Sequence, residues 1–415
     1  MRDAEVERTL ARIANPVFRA AGLNPASVHV YIVNDRELNA FVAGGQNIFL
    51  FTGLLARLET IDQLRAVIAH ETGHITGGHQ ARRDQAMKGA RGMALIGMIG
   101  AAAATAGGSP TAGLAIASSS RQAAERSMLA HNRAEEASAD QAGIRYMAAA
   151  GSDPAAMLEV LDLFRGQEAL MPSRMDPYAL THPLWSERIA LLEQKTATLP
   201  HGDGPSPEDV YWHARMVAKI TGFLGRPSEV QRRYPAGDGS EAATLARAIA
   251  AHRRPDPARA AALADTLIAA RPEDAYYHEL KGQFLLESGQ AGGAVAAYRA
   301  AVALAPDGPL ILAGLGRALL NLEDGAADAE ARAVLTRSAA LDKANAGVYR
   351  DLALAEARLG DEGAASLATA ERFVLEGRFA DAERHAGRAA GLLPAGSPGW
   401  LQAQDVITVA RRAQK

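Results

Sequence analysis

The sequence predicts two structural parts: a mostly helical α+β domain with a small sheet, and an all-α solenoid of repeated helical hairpins. Three observations predict this division. Two short apolar runs flank a Gly-Gly pair within residues 39–55, which is a β-hairpin signal. A helix with a histidine-rich end follows in residues 61–77. Pro272 and Pro306 are then 34 residues apart, a spacing typical of helical repeats.

The amino-terminal elements have simple periodicities. Residues 4–23 have the apolar spacing of a helix, and the alternating stretch 28–33 predicts a strand. Residues 47–51, "NIFLF", follow the Gly-Gly pair and predict the second strand of the hairpin.

Thr60 and Gln63 have the spacing of a capping box. This pair predicts that the next helix begins at Ile61 and continues through His74 toward Gly77.

Further helices are expected around residues 121–150 and 154–167, and a loop followed by a helix in residues 176–194. Residues 196–209 are rich in proline and glycine, which is typical of a linker. The predicted division of the chain is a domain of residues 1–195, a linker of residues 196–206 and a repeat domain of residues 207–415.

Residues 275–306 have the pattern of one tetratricopeptide repeat, in which large and small side chains alternate at fixed places: Tyr277, Gly282, Ala294, Tyr298 and Pro306. Weaker units are predicted at 241–274, at 307–342 with extra residues near 323–327, and at 354–394. Such a solenoid offers a concave surface to a protein partner or an unfolded client. A generic alanine-rich helical bundle is the alternative.

The composition excludes several classes of protein. A formal net charge of -3 gives no reason to expect a nucleic-acid-binding surface. The absence of cysteine excludes disulfides and thiolate metal ligands. The charged amino terminus has no apolar signal-peptide core, which leaves either a cytoplasmic location or a removed leader.

Residues 92–120 carry no charge and are flanked by Arg91 and Arg121. A membrane-spanning helix needs about 20 consecutive apolar residues, but glycine, serine and proline at 107–110 interrupt this run. The segment is therefore expected to be a buried hairpin or flap. The alternative is a loop that makes peripheral contact with a membrane or holds an unfolded client.

His70 and His74 are four residues apart and therefore share one helix face. Glu71 lies about 100° further round the helix, beside the position of an ion that both histidines would bind. This H-E-x-x-H pattern predicts two zinc ligands and a general base. The alternative is a buried helix whose histidines are only hydrogen-bonded.

A catalytic zinc needs a third protein ligand. Glu136 is the favoured candidate, and Asp140, one turn later, is placed to accept the free N–H of a ligating histidine. His79 is the second candidate, and Glu135 competes with Glu136 but lies off the helix face that Asn132 begins.

These motifs carry a resemblance. "HETGH", the N-x-x-x-E-x-x-x-D pattern of Asn132, Glu136 and Asp140, and the following "GIRYMAAAGSDP" resemble the gluzincin family of the HtpX heat-shock protease and the CAAX prenyl protease. "NAFVAGGQNIFLFTGLL" is similar to that family too, and the repeats are similar to its periplasmic BepA type. The resemblance covers roughly residues 25–195 by motif and the rest by architecture.

The resemblance implies a zincin-like fold for the first domain and a zinc metalloendopeptidase activity. It also implies that His70, His74 and Glu136 bind Zn²⁺, that Glu71 is the base, and that Asp140 lies behind a ligand. The long transmembrane helices of the integral family members are absent from this sequence.

The family often carries "THP" late in the catalytic domain, and this chain has "THPLWSER", with His182 and Arg188. His182 is expected either to bind the developing oxyanion or to fill the open zinc position. A loop histidine without a role is the alternative. Arg188 is expected either to pair with a site carboxylate or to be a solvated helix charge.

The predicted function is zinc-dependent hydrolysis of peptide bonds in unfolded or misassembled proteins, in envelope protein quality control. The resemblance implies a periplasmic location, and a protein partner on the repeats, such as outer-membrane assembly machinery. The substrate is expected to add as a strand to the edge of residues 47–51. Two alternatives are a chaperone-like binding module with occasional proteolysis, and a scaffold with a structural zinc.

Overall fold

The chain divides into two compact units. The computed structural model describes residues 2–82, 132–165, 167, 175–183, 186–200, 202 and 204–414. One unit comprises Val6–Ile220, and the other comprises Thr221–Lys415 with Arg2–Glu5. The finer division at a 196–206 linker stays a prediction. Within the described ranges, no helix is long and apolar enough to cross a bilayer. The uncharged segment 92–120 lies outside the described residues.

The first unit is mostly helical with a small sheet, as predicted. Its strands are β1 (His29–Val33), β2 (Ala40–Ala43) and β3 (Asn47–Phe51), and its helices are Ala4–Ala20, Thr52–Arg57, Ile61–Thr76, 132–149, Ala156–Asp162, Pro177–Thr181, Ser186–Thr196 and Pro207–Leu224. The helix Ile61–Thr76 carries His70 and is called the His70 helix. The helix 132–149 carries Glu136 and is called the Glu136 helix.

The three strands form one sheet in the order β1–β3–β2. β2 and β3 are the predicted hairpin, and they are antiparallel across Gly44 and Gly45, whose φ angles of 60° and 99° favour glycine. β1 pairs in parallel with β3. The prediction that β3 offers a free edge is therefore wrong, because both edges of β3 are paired and β2 is an edge strand.

The sheet has one apolar face in the core. Ile48 and Leu50 of β3 and Ala40 of β2 are fully buried, and the His70 helix packs against both strands. On the other face, Phe49 stacks between Tyr31 and Phe41, with ring centroids 5.2 and 4.9 Å away. The hairpin and the His70 helix thus share one core.

The His70 helix begins where the capping box predicts. The Thr60 hydroxyl accepts a hydrogen bond from the Gln63 backbone N–H at 3.1 Å, and the Gln63 side chain accepts one from the Thr60 backbone at 3.3 Å. The helix then buries Leu64, Val67 and Ile68. It ends at Thr76, close to the predicted end.

The His70 helix and the Glu136 helix approach each other closely at two glycines. A Cβ on Gly73 would lie 2.7 Å from the carbonyl oxygen of Ala139. A Cβ on Gly143 would lie 3.3 Å from the backbone nitrogen of His70. A larger residue at position 73 would push the backbones apart. The two glycines therefore set the separation of the helices that carry His70 and Glu136.

Three helix predictions need correction or completion. The helix predicted at 154–167 is shorter, at Ala156–Asp162. The region predicted as a loop and a helix at 176–194 contains a short helix, Pro177–Thr181, before Ser186–Thr196. Pro177 begins the short helix because its fixed φ suits a first helical position. The part of the predicted 121–150 helix that precedes residue 132 lies outside the described residues.

The second unit is an all-α array, as predicted. After the short helix Pro227–Arg233, its helices form consecutive hairpins: Glu241–Arg253 with Pro257–Ala270, Ala275–Glu287 with Ala291–Leu304, Pro309–Leu320 with Gly325–Leu341, Ala346–Arg358 with Glu362–Leu375, and Phe379–Leu392 with Pro398–Ala413. The unit predicted at 354–394 therefore combines the second part of one hairpin with the first helix of the next. The extra residues predicted near 323–327 lie mostly in the helix Gly325–Leu341.

Tyr298 shows how neighbouring hairpins pack. A Cβ on Gly282 would lie 2.7 Å from its ring, and one on Gly314, in the next hairpin, would overlap the ring. The ring fills space that these two glycines leave open, and Tyr298 is buried in the shared core. The large–small alternation in the sequence therefore corresponds to physical contacts between helices.

Candidate metal centre

Four buried side chains of the first unit converge on one point. His70 and His74 extend from the His70 helix, and Glu136 extends from the Glu136 helix. His182 directly follows the helix Pro177–Thr181 and caps its end. One donor atom from each lies within 4.8 Å of the others. The packing of three helices thus assembles a cluster suited to a metal ion.

The donor distances are close to those around a tetrahedral ion, with a different Glu136 oxygen facing each histidine. His70 Nε2 lies 3.1 Å from His74 Nε2 and 3.3 Å from Glu136 Oε2, and His74 Nε2 lies 3.4 Å from Glu136 Oε1. Bonds of 2.0–2.1 Å to a tetrahedral zinc imply donor separations of about 3.3 Å. Two imidazoles and one carboxylate are also a ligand set that zinc accepts.

His182 occupies the fourth corner of the cluster. Its Nδ1 lies 3.1 Å from His70 Nε2 and 3.0 Å from Glu136 Oε2. Its Nε2 lies 3.4 Å from the Glu71 carboxylate. The imidazole therefore lies between the other three donors of the candidate metal cluster and Glu71.

Asp140 is where a partner of a ligating histidine belongs. Its Oδ1 lies 2.8 Å from His70 Nδ1, so the Nδ1 proton of His70 is held there and Nε2 is turned to the centre. This carboxylate–histidine contact fixes the tautomer and the ring orientation of a metal ligand. The placement corresponds to the position predicted for Asp140.

His79 contacts a predicted ligand and stays outside the cluster. Its Nδ1 lies 2.8 Å from His74 Nδ1, which places it behind His74. Gly78, with a φ of 62°, turns the chain back after the helix. A Cβ on Gly77 would overlap the His79 ring, so the missing side chain makes room for it. The alternative of His79 as the third ligand is therefore not supported by its position.

Arg188 connects several parts of the site. Its Nε and one terminal nitrogen donate to the two oxygens of Asp140 at 2.6 and 2.9 Å. Its other terminal nitrogen lies 3.1 Å from Glu136 and donates to the carbonyl oxygens of His182 and Pro183, each at 3.2 Å. Arg188 is buried and pairs with site carboxylates, which is the first of its two expected roles. It is not a solvated helix charge.

Glu71 is buried beside the cluster without a hydrogen bond. Neither carboxylate oxygen has a hydrogen-bond partner among the described residues. Burial of a charged group without hydrogen bonds is costly, and such groups concentrate where they serve a reaction. Glu71 is thus available to a water molecule or a substrate proton.

The electrostatics of the histidine pair require a positive charge at the centre. Burial opposes the charged form of His70, but hydrogen bonds to Asp140 and Glu136 outweigh it and raise the pKa of His70 to about 10. Burial lowers the pKa of His74 to about 3, so His74 is neutral. A proton on His70 therefore supplies the positive charge that a metal ion would otherwise bring.

The three carboxyl groups differ in their surroundings. Burial would raise the pKa of Glu136, but the charge and hydrogen bond of His182 hold it well below its usual range. Burial would also raise the pKa of Asp140, yet Arg188 lowers it to about 2. Burial raises the pKa of Glu71, which makes its carboxylate a better proton acceptor.

A cleft opens beside the cluster. The cleft has a volume of about 230 Å³, and its lining includes Phe41 and Val42 of β2, Glu71 and His182. Tyr178, which the sequence analysis missed, packs against His182 with ring centroids 4.6 Å apart and the ring planes tilted by 39°. Its position four residues before His182 on a short helix is the signal that would have found it.

Comparison with known proteins identifies the family of the first unit. Residues 1–196 match the family model described as peptidase family M48. This part of the chain is a peptidase family M48 domain. The M48 family is one of metallopeptidases, consistent with a buried cluster that fits a metal ion.

The similar proteins include one that matches most of this chain. Beta-barrel assembly-enhancing protease of Escherichia coli strain K12 is 28% identical over 355 residues, 85% of this chain and 72% of that protein. Mitochondrial metalloendopeptidase OMA1 of Schizosaccharomyces pombe is 26% identical over 185 residues, 45% of this chain and 51% of that protein. A thermophilic TPR protein of Thermus thermophilus has a TM-score of 0.28 at 18% identity, covering 42% of this chain and 99% of that one.

Substitution of Glu136 and of His79 should have different effects on metal binding. Glu136→Gln removes the anionic donor, and we expect it to lose stoichiometric zinc after dialysis. His79→Ala removes only a partner of His74, and we expect it to keep one ion with an affinity lowered roughly 10-fold. Elemental analysis and a competition titration measure both. Full zinc content in Glu136→Gln would contradict the predicted ligand set.

Metal binding should release a proton at neutral pH. The raised pKa of His70 keeps it protonated in the metal-free protein below about pH 10, and a metal must displace that proton. Affinity should therefore rise about tenfold for each pH unit between pH 6 and 9. Calorimetry in buffers with different ionisation heats measures the proton count. Asp140→Asn is the control, since loss of its charge lowers the pKa of His70 and reduces the release at pH 7.

Proposed function

We propose that the chain is a zinc-dependent endopeptidase that hydrolyses peptide bonds of unfolded or misassembled proteins. The observation that carries the proposal is a cluster of His70, His74 and Glu136 with a buried carboxylate that has no hydrogen bond, Glu71, beside it. A structural zinc usually has four protein ligands and no neighbouring base. The position of Glu71 therefore argues against a scaffold role, on the condition that His182 can leave the fourth corner.

The proposed chemistry places one task on each residue. A bound zinc would polarise a water molecule and the scissile carbonyl. Glu71 accepts the proton of the attacking water and passes it to the leaving amine, and burial that raises its pKa favours this exchange. Asp140 keeps the Nδ1 proton of His70 in place, and Arg188 pairs with Asp140 behind His70 and with the proposed ligand Glu136.

The edge strand β2 is the proposed substrate platform, in place of β3. Phe41 and Val42 of β2 line the same cleft as Glu71. An extended polypeptide that pairs with this edge would pass its backbone along the cleft, since strand addition holds a peptide straight. β2 is short, with residues 40–43, which limits the strand that it can hold to a few residues.

His182 is proposed to hold the enzyme in a resting state. Its Nδ1 lies among the three donor atoms, and its Nε2 faces Glu71. In this position it takes the fourth corner and separates the cluster from the base. The other role expected for His182, an oxyanion donor, requires the imidazole to leave this position, and the neighbouring cleft of about 230 Å³ offers room for it.

We propose a periplasmic location and a role in envelope protein quality control, because a similar protein is named beta-barrel assembly-enhancing protease. The helical repeats are proposed to bind a client or a partner such as outer-membrane assembly machinery. A chaperone-like module with repressed proteolysis is the second candidate, and the position of His182 is the observation that favours it.

Glu71→Gln should separate proteolysis from folding and metal binding. The amide keeps the size of the side chain and removes the proton acceptor, so cleavage of casein should fall by several orders of magnitude. Zinc content and the thermal unfolding midpoint should stay near those of the unchanged protein. Glu59→Gln, at an exposed position, is the matched control and should cleave normally. Normal cleavage by Glu71→Gln would exclude the proposed base.

His182→Ala should raise the rate of cleavage of a short unstructured peptide. Removal of the imidazole frees the fourth corner and uncovers Glu71, and we expect kcat/KM to increase several-fold at unchanged zinc content. His29→Ala, in the strand β1, is the control. A decrease in kcat with KM unchanged would identify His182 as an oxyanion donor instead.

A further inference from the structure

The second unit contains a cavity away from the repeat hairpins' shared cores. It measures about 300 Å³ and lies between the helix Pro227–Arg233, the helix Glu241–Arg253 and the start of the helix Pro257–Ala270. This volume is at the lower end of those that bind small ligands. It can take one or two side chains of a peptide.

The lining of this cavity includes apolar side chains, and a hydrogen-bonded arginine fixes one side of it. Val230 and Ala251 are buried in its lining. Arg247 also lines it, and donates to the carbonyl oxygens of Pro235 and Asp238 at 2.8 and 2.7 Å. Arg247 thereby holds the segment between the two helices in place, so the cavity is formed before a ligand arrives.

The mouth of the cavity carries two available cations. Arg254 and Arg259 line it and are exposed. Within the described part of the chain, neither guanidinium has a hydrogen bond or an ion pair. Asp256 lies between them in sequence, and its side chain accepts the Arg259 backbone N–H at 3.2 Å. The cavity lining thus combines three arginines and one aspartate with apolar side chains and with the polar groups of a glutamine and a tyrosine.

We propose that this cavity binds the carboxyl terminus of a polypeptide that ends in an apolar residue. The apolar side chain would enter the interior, and the free α-carboxylate would pair with Arg254 and Arg259, whose forked donors match a carboxylate. A compact phosphate fits less well, because it has no apolar part for the interior and Asp256 opposes a higher negative charge.

The proposal specifies the partner chemistry of the proposed repeat-domain function, and it does not depend on peptidase activity. The binding experiment therefore uses the full chain with Glu71→Gln, loaded with zinc. Labelled ten-residue peptides ending in leucine with a free carboxylate, in leucine amide, or in serine with a free carboxylate serve as probes, and fluorescence anisotropy measures their affinity.

The leucine peptide with a free carboxylate should bind at least ten times tighter than either of the others. Arg254→Glu and Arg259→Glu should each weaken it at least tenfold, and Ala250→Leu, which fills the cavity, should do the same. Arg232→Glu is the matched control, an exposed arginine outside the lining that changes the net charge equally, and it should change affinity less than twofold.

Equal affinity for the acid and the amide would overturn the proposal, as would an Arg232→Glu effect as large as that of Arg254→Glu. Equal affinity for the leucine and serine peptides would exclude the apolar interior as the recognition element. Displacement of the leucine peptide by millimolar inorganic phosphate alone would show a general anion site and would also overturn the proposal. Circular dichroism of each variant verifies that the helices remain.

Discussion

The separation of two helices is the constraint on which the site depends. Gly73 and Gly143 let the His70 helix and the Glu136 helix approach until backbone atoms nearly touch. Donor atoms on the two helices can meet at about 3.3 Å only at such a separation. The glycines contribute no donor atom, yet they decide whether imidazole and carboxylate reach the same ion.

A second constraint is electrostatic. His74 presents an acceptor atom and Glu136 presents a negative charge to one buried point, where water cannot screen them. A proton on His70 stabilises that arrangement, and a metal cation would do the same in its place. Asp140 and Arg188 stand behind the cluster as a neutralised pair, which lets His70 exchange one positive charge for another without a change in its ring orientation.

Local sequence signals predicted local structure well. The Thr60 cap, the glycine hairpin and the spacing of Glu136 and Asp140 each depend on a few neighbouring residues, and the observed elements follow them. The free edge of β3 was predicted wrongly because β1 pairs with it in parallel, a contact that no local pattern encodes. The contacts of His79 and Arg188 also depend on how distant helices pack. Metal binding and the role of each ligand stay predictions.

The Arg188 guanidinium has a consequence for motion. It holds the backbone carbonyls of His182 and Pro183 while it is itself fixed by Asp140. The loop cannot lift away without breaking a buried ion pair, so rotation about the side-chain bonds of His182 is the less costly way to vacate its place. Access of a polypeptide to the cluster would then depend on the rotation of one imidazole ring about a backbone that stays fixed.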